Sequence, residues 1–160
     1  MRLSIFVVTA ILIAVSFAFA LDFKAFNLDG LTTSSPDTKA IEKYGQPEKK
    51  DKAELEPATG DWLSKYEWSS KGIAIIMAGK SEKAKSWGIR DMTVRSPFTG
   101  KTDKGIGIGS DAAEVTKVYG KATSLKKDEI EYSEGDCCTI VSFTLKNGKV
   151  EKIWVGPTPE

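Results

Sequence analysis

The sequence predicts an α+β fold built from two tandem repeats, each a short helix followed by a three-stranded antiparallel meander, with the helices on one face of the sheet. Three observations carry this expectation. Segments 35–45 and 110–120 match at a separation of 75 positions, each opening on Ser and closing on Tyr-Gly. Each is followed, after a charged connection, by strand-like segments. An Asn147-Gly148 pair, a strong short hairpin signal, joins the last two of them.

The elements follow in order. Ser35 and Ser110 are the expected N-caps, whose hydroxyls accept an unpaired amide of the first turn, and Pro36 takes the first helical position. Gly45 and Gly120 are the expected left-handed C-terminal caps. Tyr44 and Tyr119 fall in register with Ala40 and Val115 and are expected in the helix–sheet core. Strand character runs through 62–68, 72–78 and 89–94 in the first half, and through 129–132, 138–145 and 149–155 in the second. The chain thus divides into an export signal (1–20), an N-terminal extension (21–31), repeat 1 (32–95), a turn-rich linker (96–104) and repeat 2 (105–160).

One set of residues carries a family resemblance. Thr102-x-x-Gly105-Ile106-Gly107-Ile108-Gly109-Ser110 runs into a helix ending Val118-Tyr119-Gly120, and Asn147-Gly148-Lys149-Val150-x-x-Ile153 lies near the close. This pattern resembles the tandem α/β repeat of the β-lactamase-inhibitor-protein-like superfamily, which includes the small lipoprotein of the outer-membrane β-barrel assembly machinery. The resemblance spans nearly all of the chain after residue 20. It implies helices packed on one face of an antiparallel sheet, with the opposite face free to grip another protein.

The ends and the charge bound the partners. Arg2 precedes an apolar run from Leu3 that closes on Ala18-Phe19-Ala20, the small-x-small pattern of a signal peptidase site, so cleavage after Ala20 and a periplasmic or secreted protein are expected. Attachment to a membrane follows only if that segment is retained as an anchor. Arg2 is the one charged residue in 1–20, so its loss leaves 22 basic residues of the original 23 against 22 acidic ones. A chain without excess positive charge has no long-range attraction to nucleic acid, which is excluded as a default partner.

Catalytic chemistry finds little support. The chain has no histidine, which removes the commonest general base and metal ligand, and its carboxylates are scattered among lysines. No enzyme activity, cofactor or metal is expected. Gly105, Gly107 and Gly109 invite a phosphate-loop reading, but Ser110 stands where the dinucleotide fingerprint needs glycine, and a tightly turned approach to the helix explains them. Cys137 and Cys138 are adjacent, and neighbouring strand residues point to opposite faces. Three states remain open for them: two reduced small hydrophobes, a vicinal disulfide with a redox or binding role, or an intermolecular bridge.

Aromatic residues give the binding candidates. With Ile153 and Val155 facing the core, matched by Met92 and Val94, Lys152 and Trp154 face the other way with Asp91 and Thr93. Trp62, Tyr66 and Trp68 share one side of their strand, and that stripe reads equally as an exposed interface or as core. The expectation is an exported binding protein that engages a protein or cell-envelope component through Trp154, Lys152, Trp62, Tyr66 and Trp68. The alternatives are a carrier or sensor of a small apolar ligand between the halves, and a redox protein using Cys137 and Cys138.

Overall fold

Alternation of apolar and polar residues along most of the long strands gives the chain a sheet with one greasy side, and everything else is arranged to cover it. The computed structural model describes residues 21–23, 25–134 and 139–158. The expected export signal (1–20) and the Cys137–Cys138 pair lie outside the described residues. The fold is α+β: among the described residues there are two α-helices and a single sheet whose pairings are all antiparallel.

In chain order the elements are α1 (Asp37–Tyr44), β1 (Lys49–Lys50), β2 (Glu54–Leu55), β3 (Trp62–Trp68), a 3-10 turn at Ser69–Lys71, β4 (Ile73–Gly79) and β5 (Gly88–Arg95). There follow α2 (Ala112–Tyr119), β6 (Ser124–Lys126), β7 (Glu129–Ser133), β8 (Thr139–Lys146) and β9 (Lys149–Pro157). The sheet order is β1-β3-β4-β5-β9-β8-β7-β6, with β2 also on β3. The last strand of each half therefore meets the other at the centre: Met92 pairs with Val155, Thr93 with Trp154 and Val94 with Ile153.

Register fixes the inner face. One line of partners runs Tyr66, Ile75, Met92, Val155, Val141, Tyr132 and a second runs Trp68, Ile73, Val94, Ile153, Phe143, Ile130. All are buried. Both helices cover this face: Tyr44 meets the Trp68 ring edge-on at 5.9 Å, and Tyr119 packs on Tyr132 and Phe143, each at 5.8 Å. Trp68 donates its indole N–H to the Gly45 carbonyl at 2.9 Å, and Tyr132 its hydroxyl to that of Gly120 at 3.1 Å. Each ring thus ties down the C-terminus of a helix. Burial pushes the Tyr132 hydroxyl up to about 12 and the Tyr44 and Tyr119 hydroxyls higher still, so all three stay protonated donors.

Several expected details differ. Pro36 and Asp111, not the serines, hold the N-cap positions. Ser35 and Ser110 instead close the preceding loops, their Oγ atoms accepting from the Thr32 and Gly107 amides at 3.1 and 3.2 Å. A serine competes for nearby amides on either side, and here the upstream one wins. The Glu114 carboxylate accepts from the Asp111 amide at 3.1 Å and helps start α2. Gly45 and Gly120 end the helices at φ of 82° and 78°, but ψ of −172° and −150° puts them outside the left-handed helical basin, in a region that glycine alone reaches easily.

The extension and the linker also contribute to the core. Phe26, Leu28 and Leu31 from the first and Phe98 and Thr102 from the second are buried. Leu28 bridges to Thr102, the Asp29 amide bonds the Lys101 carbonyl at 2.7 Å, and the Asp103 amide bonds the Asn27 carbonyl at 3.1 Å. These two irregular segments pair with each other beneath the helices, where the Tyr44 hydroxyl reaches Asp29 at 2.9 Å and the Tyr119 hydroxyl reaches Thr102 at 2.7 Å.

Candidate functional site

The side of the sheet away from the helices carries the groups not spent on the core. Its central line runs Glu67, Ala74, Thr93, Trp154, Ser142 and Glu131. Trp154 is half-buried and Lys152 exposed on this outer face, where alternation with Ile153 and Val155 puts them. Tyr66 and Trp68 are each 1 % exposed and belong to the core, so neither is available to a partner. Trp62 is half-buried and packs against that same core. The stripe is core because its counterpart on the strand, Leu63, Lys65 and Glu67, carries two charges that burial would penalise.

Two β-bulges shape the outer face. Alternation breaks in β5, where Ile89 and Met92 are both buried with Arg90 and Asp91 between them, and the β4–β5 register shifts there. It breaks in the same way in β9, where Glu151 and Lys152 stand between buried Val150 and Ile153, opposite a shift between Thr144 and Leu145. Each bulge turns two consecutive polar side chains outward. In β5 they diverge: Arg90 reaches the Glu56 carboxylate at 2.7 Å, while Asp91 stays on the sheet surface beside Trp154.

A depression of about 760 Å³ lies between Trp154 and the segment 51–56. Its floor is Leu63, Ile76, Asp91 and Trp154, and Leu55 stands on its rim, 52 % exposed. The segment is held in place by the Ser64 hydroxyl, which donates to the Asp51 carbonyl at 2.6 Å, and by the Glu56–Arg90 bridge, with Thr59 donating to the same carboxylate at 2.6 Å. The Thr59 hydroxyl and the Arg90 guanidinium hold the half-buried Glu56 carboxyl below its usual range. A second depression, of about 340 Å³, lies on the other side of Trp154 between Lys152, Ile140 and Glu131. Trp154 is the ridge between the two.

Gly156 lets that ridge form. A Cβ there would lie 2.5 Å from the Asp91 Cβ and 2.7 Å from the Trp154 ring, so the two side chains close over a backbone that has none. Closure has an electrostatic consequence. Burial pushes the Asp91 carboxyl up to about 6 from its ordinary 3.8, against the opposing pull of the Arg90 guanidinium and the Trp154 indole N–H, while Glu56 adds slightly to the rise.

A carboxyl whose value is raised by folding favours the folded state when protonated. That stability is fully present below about 3.8 and is lost as pH rises through about 6. Asp91→Asn is expected to stabilise the fold by about 2 kcal/mol at pH 8 and by almost nothing at pH 4. Urea unfolding of both proteins at pH 4, 6 and 8 measures this. A constant difference across the range would show that the carboxyl is not desolvated.

The sequence reading placed Asp91 on the Trp154 side but gave it no role, and it missed Arg90, Gly156 and the flanking segment. The available signal was two polar residues between core positions in both Ile89-Arg90-Asp91-Met92 and Val150-Glu151-Lys152-Ile153. Among the described residues no group of three or more His, Cys, Asp or Glu could hold a metal ion, and no helix is long and apolar enough to cross a membrane. No protein-family model matches the chain, and no curated protein or solved structure matches it either.

Proposed function

We propose that this chain is an exported, non-catalytic binding protein that engages a protein or cell-envelope component through the outer face of its sheet, centred on Trp154. The observation that carries the reading is the half-buried tryptophan set between two depressions on the side that neither helix covers. Large aromatic side chains in such positions are the usual anchors of protein interfaces. The absence of histidine favours binding over catalysis.

The proposal includes a tandem-repeat origin for this face. Corresponding contacts recur in the two halves, with only their helix-side residues at the constant separation of 75: Thr32–Ser35 with Gly107–Ser110, the Pro36–Gly88 bridge with Asp111–Lys149, and Trp68–Gly45 with Tyr132–Gly120. The equivalent bulges in β5 and β9 extend the match. A local dyad relating the halves would pass between Thr93 and Trp154, making the tryptophan the point where one half departs from the other. This plan is the one expected from the β-lactamase-inhibitor-like resemblance, which supports a gripping role for the free face. The carrier reading needs space between the halves, where β5 and β9 pair directly from Met92 to Arg95, and is the weaker alternative.

Site-directed photo-crosslinking tests the proposal. A benzophenone side chain at Trp154 is expected to capture one discrete partner in the native compartment, and the same group at Leu125, on the edge strand β6, is not. Trp154→Ala should weaken association with that partner at least about tenfold. Equal labelling from both positions, or undiminished association, would sink the proposal.

A further inference from the structure

The depression on the Asp91 side of Trp154 carries the Asp91 carboxylate on an otherwise apolar floor, with Asp51, Glu54 and Glu56 also in its lining, and Asp51 and Glu56 are already paired, with Lys49 and Arg90. Arg90 is held by Glu56 at 2.7 Å, and Lys65 is paired with Glu67. Lys52, on the rim, is exposed and makes no ion pair among the described residues, and neither does Asp91. A partly buried carboxylate with no ion pair of its own, offset only in part by Arg90 and the Trp154 indole N–H, keeps a net desolvation penalty that a cation brought from outside would relieve. The floor beside it, Leu63 and Ile76, suits an aliphatic stem rather than a small hydrated ion. The ring of Trp154 adds an attractive surface for a cation.

We propose, building on the reading of this face as a partner-binding surface, that the depression receives a lysine or arginine side chain of the partner protein, its stem lying across Leu63 and Ile76 and its charge meeting Asp91 beside Trp154. The raised carboxyl value of Asp91, about 6, supports this: the loss of solvent on folding outweighs what the Arg90 guanidinium and the Trp154 indole N–H give back. Gly156 is then a positioning residue, keeping the indole and the carboxylate together at the mouth of the site.

The test uses the purified protein labelled with ¹⁵N at pH 8, where Asp91 is ionised, and follows the indole N–H resonance of Trp154. Three probes are titrated: the Nα-acetyl methylamides of lysine, arginine and norleucine. At least one cationic probe is expected to shift the resonance saturably in the millimolar range, with norleucine producing no comparable shift. Asp91→Asn should weaken that response at least about tenfold. No response to either cation, an equal response to norleucine, or an unchanged response in Asp91→Asn overturns the proposal. If crosslinking from Trp154 still captures a discrete partner in that event, the binding face stands and only the basic-side-chain recognition fails; if neither occurs, both fail.

Discussion

Replacing Gly72 by alanine is expected to lower the unfolding free energy by at least about 3 kcal/mol. Gly72 follows the 3-10 turn that joins β3 to β4, at a φ of +69°. A Cβ there would stand 2.0 Å from the Arg95 carbonyl oxygen and 3.0 Å from the Pro97 nitrogen. Both are backbone atoms, and the Arg95 amide also bonds the Gly72 carbonyl at 2.9 Å, so no flexible side chain can yield. Gly60 provides the control: its φ is +71°, yet nothing lies within 4 Å of an added Cβ. Gly60→Ala should therefore lose only the backbone term, about 1 kcal/mol. Urea titrations of the two variants, with unchanged m-values, separate the steric part from the conformational part. Equal losses would mean that the 95–97 segment moves aside without cost.

What could be read in the sequence was what repeats or alternates. Segments 35–45 and 110–120 announced the helices because they occur twice, and most of the long strands followed from alternation, whereas β4 is apolar throughout and shows as a short continuous apolar run. The short strands β1, β2 and β6 were not legible. Their residues are largely exposed and pair through backbone, leaving no apolar pattern to detect. The packing of the extension against the linker was equally hidden, because Leu28 and Thr102 are far apart in sequence and their contact depends on the finished fold.

The site was half legible for the same reason. Trp154 could be placed outward from its neighbours Ile153 and Val155 alone. The chemistry of Asp91 could not, because it arises from Trp154 closing over Gly156 and from Glu56 drawing Arg90 away, which are contacts between separate parts of the chain. A bulge signature marks where to look without saying what the bulged residues meet.

The two tryptophans on opposite faces give the sharpest test of this division between core and surface. Trp68→Ala is expected to cost about 3 to 5 kcal/mol, because a fully buried indole is removed from beneath α1 together with its edge-on contact to Tyr44 and its bond to the Gly45 carbonyl. Trp68→Phe retains most of the apolar volume and should lose about 1 kcal/mol, near the worth of that single hydrogen bond plus a small packing defect. Trp154→Ala, by contrast, removes a half-buried ring from a face that neither helix covers and should cost no more than about 1 kcal/mol. Chemical denaturation of the three variants measures the series. The order matters more than any one value: a large loss for Trp154 and a small one for Trp68 would mean that the faces are reversed, and a tryptophan required by the fold could not also serve as the exposed anchor of a partner.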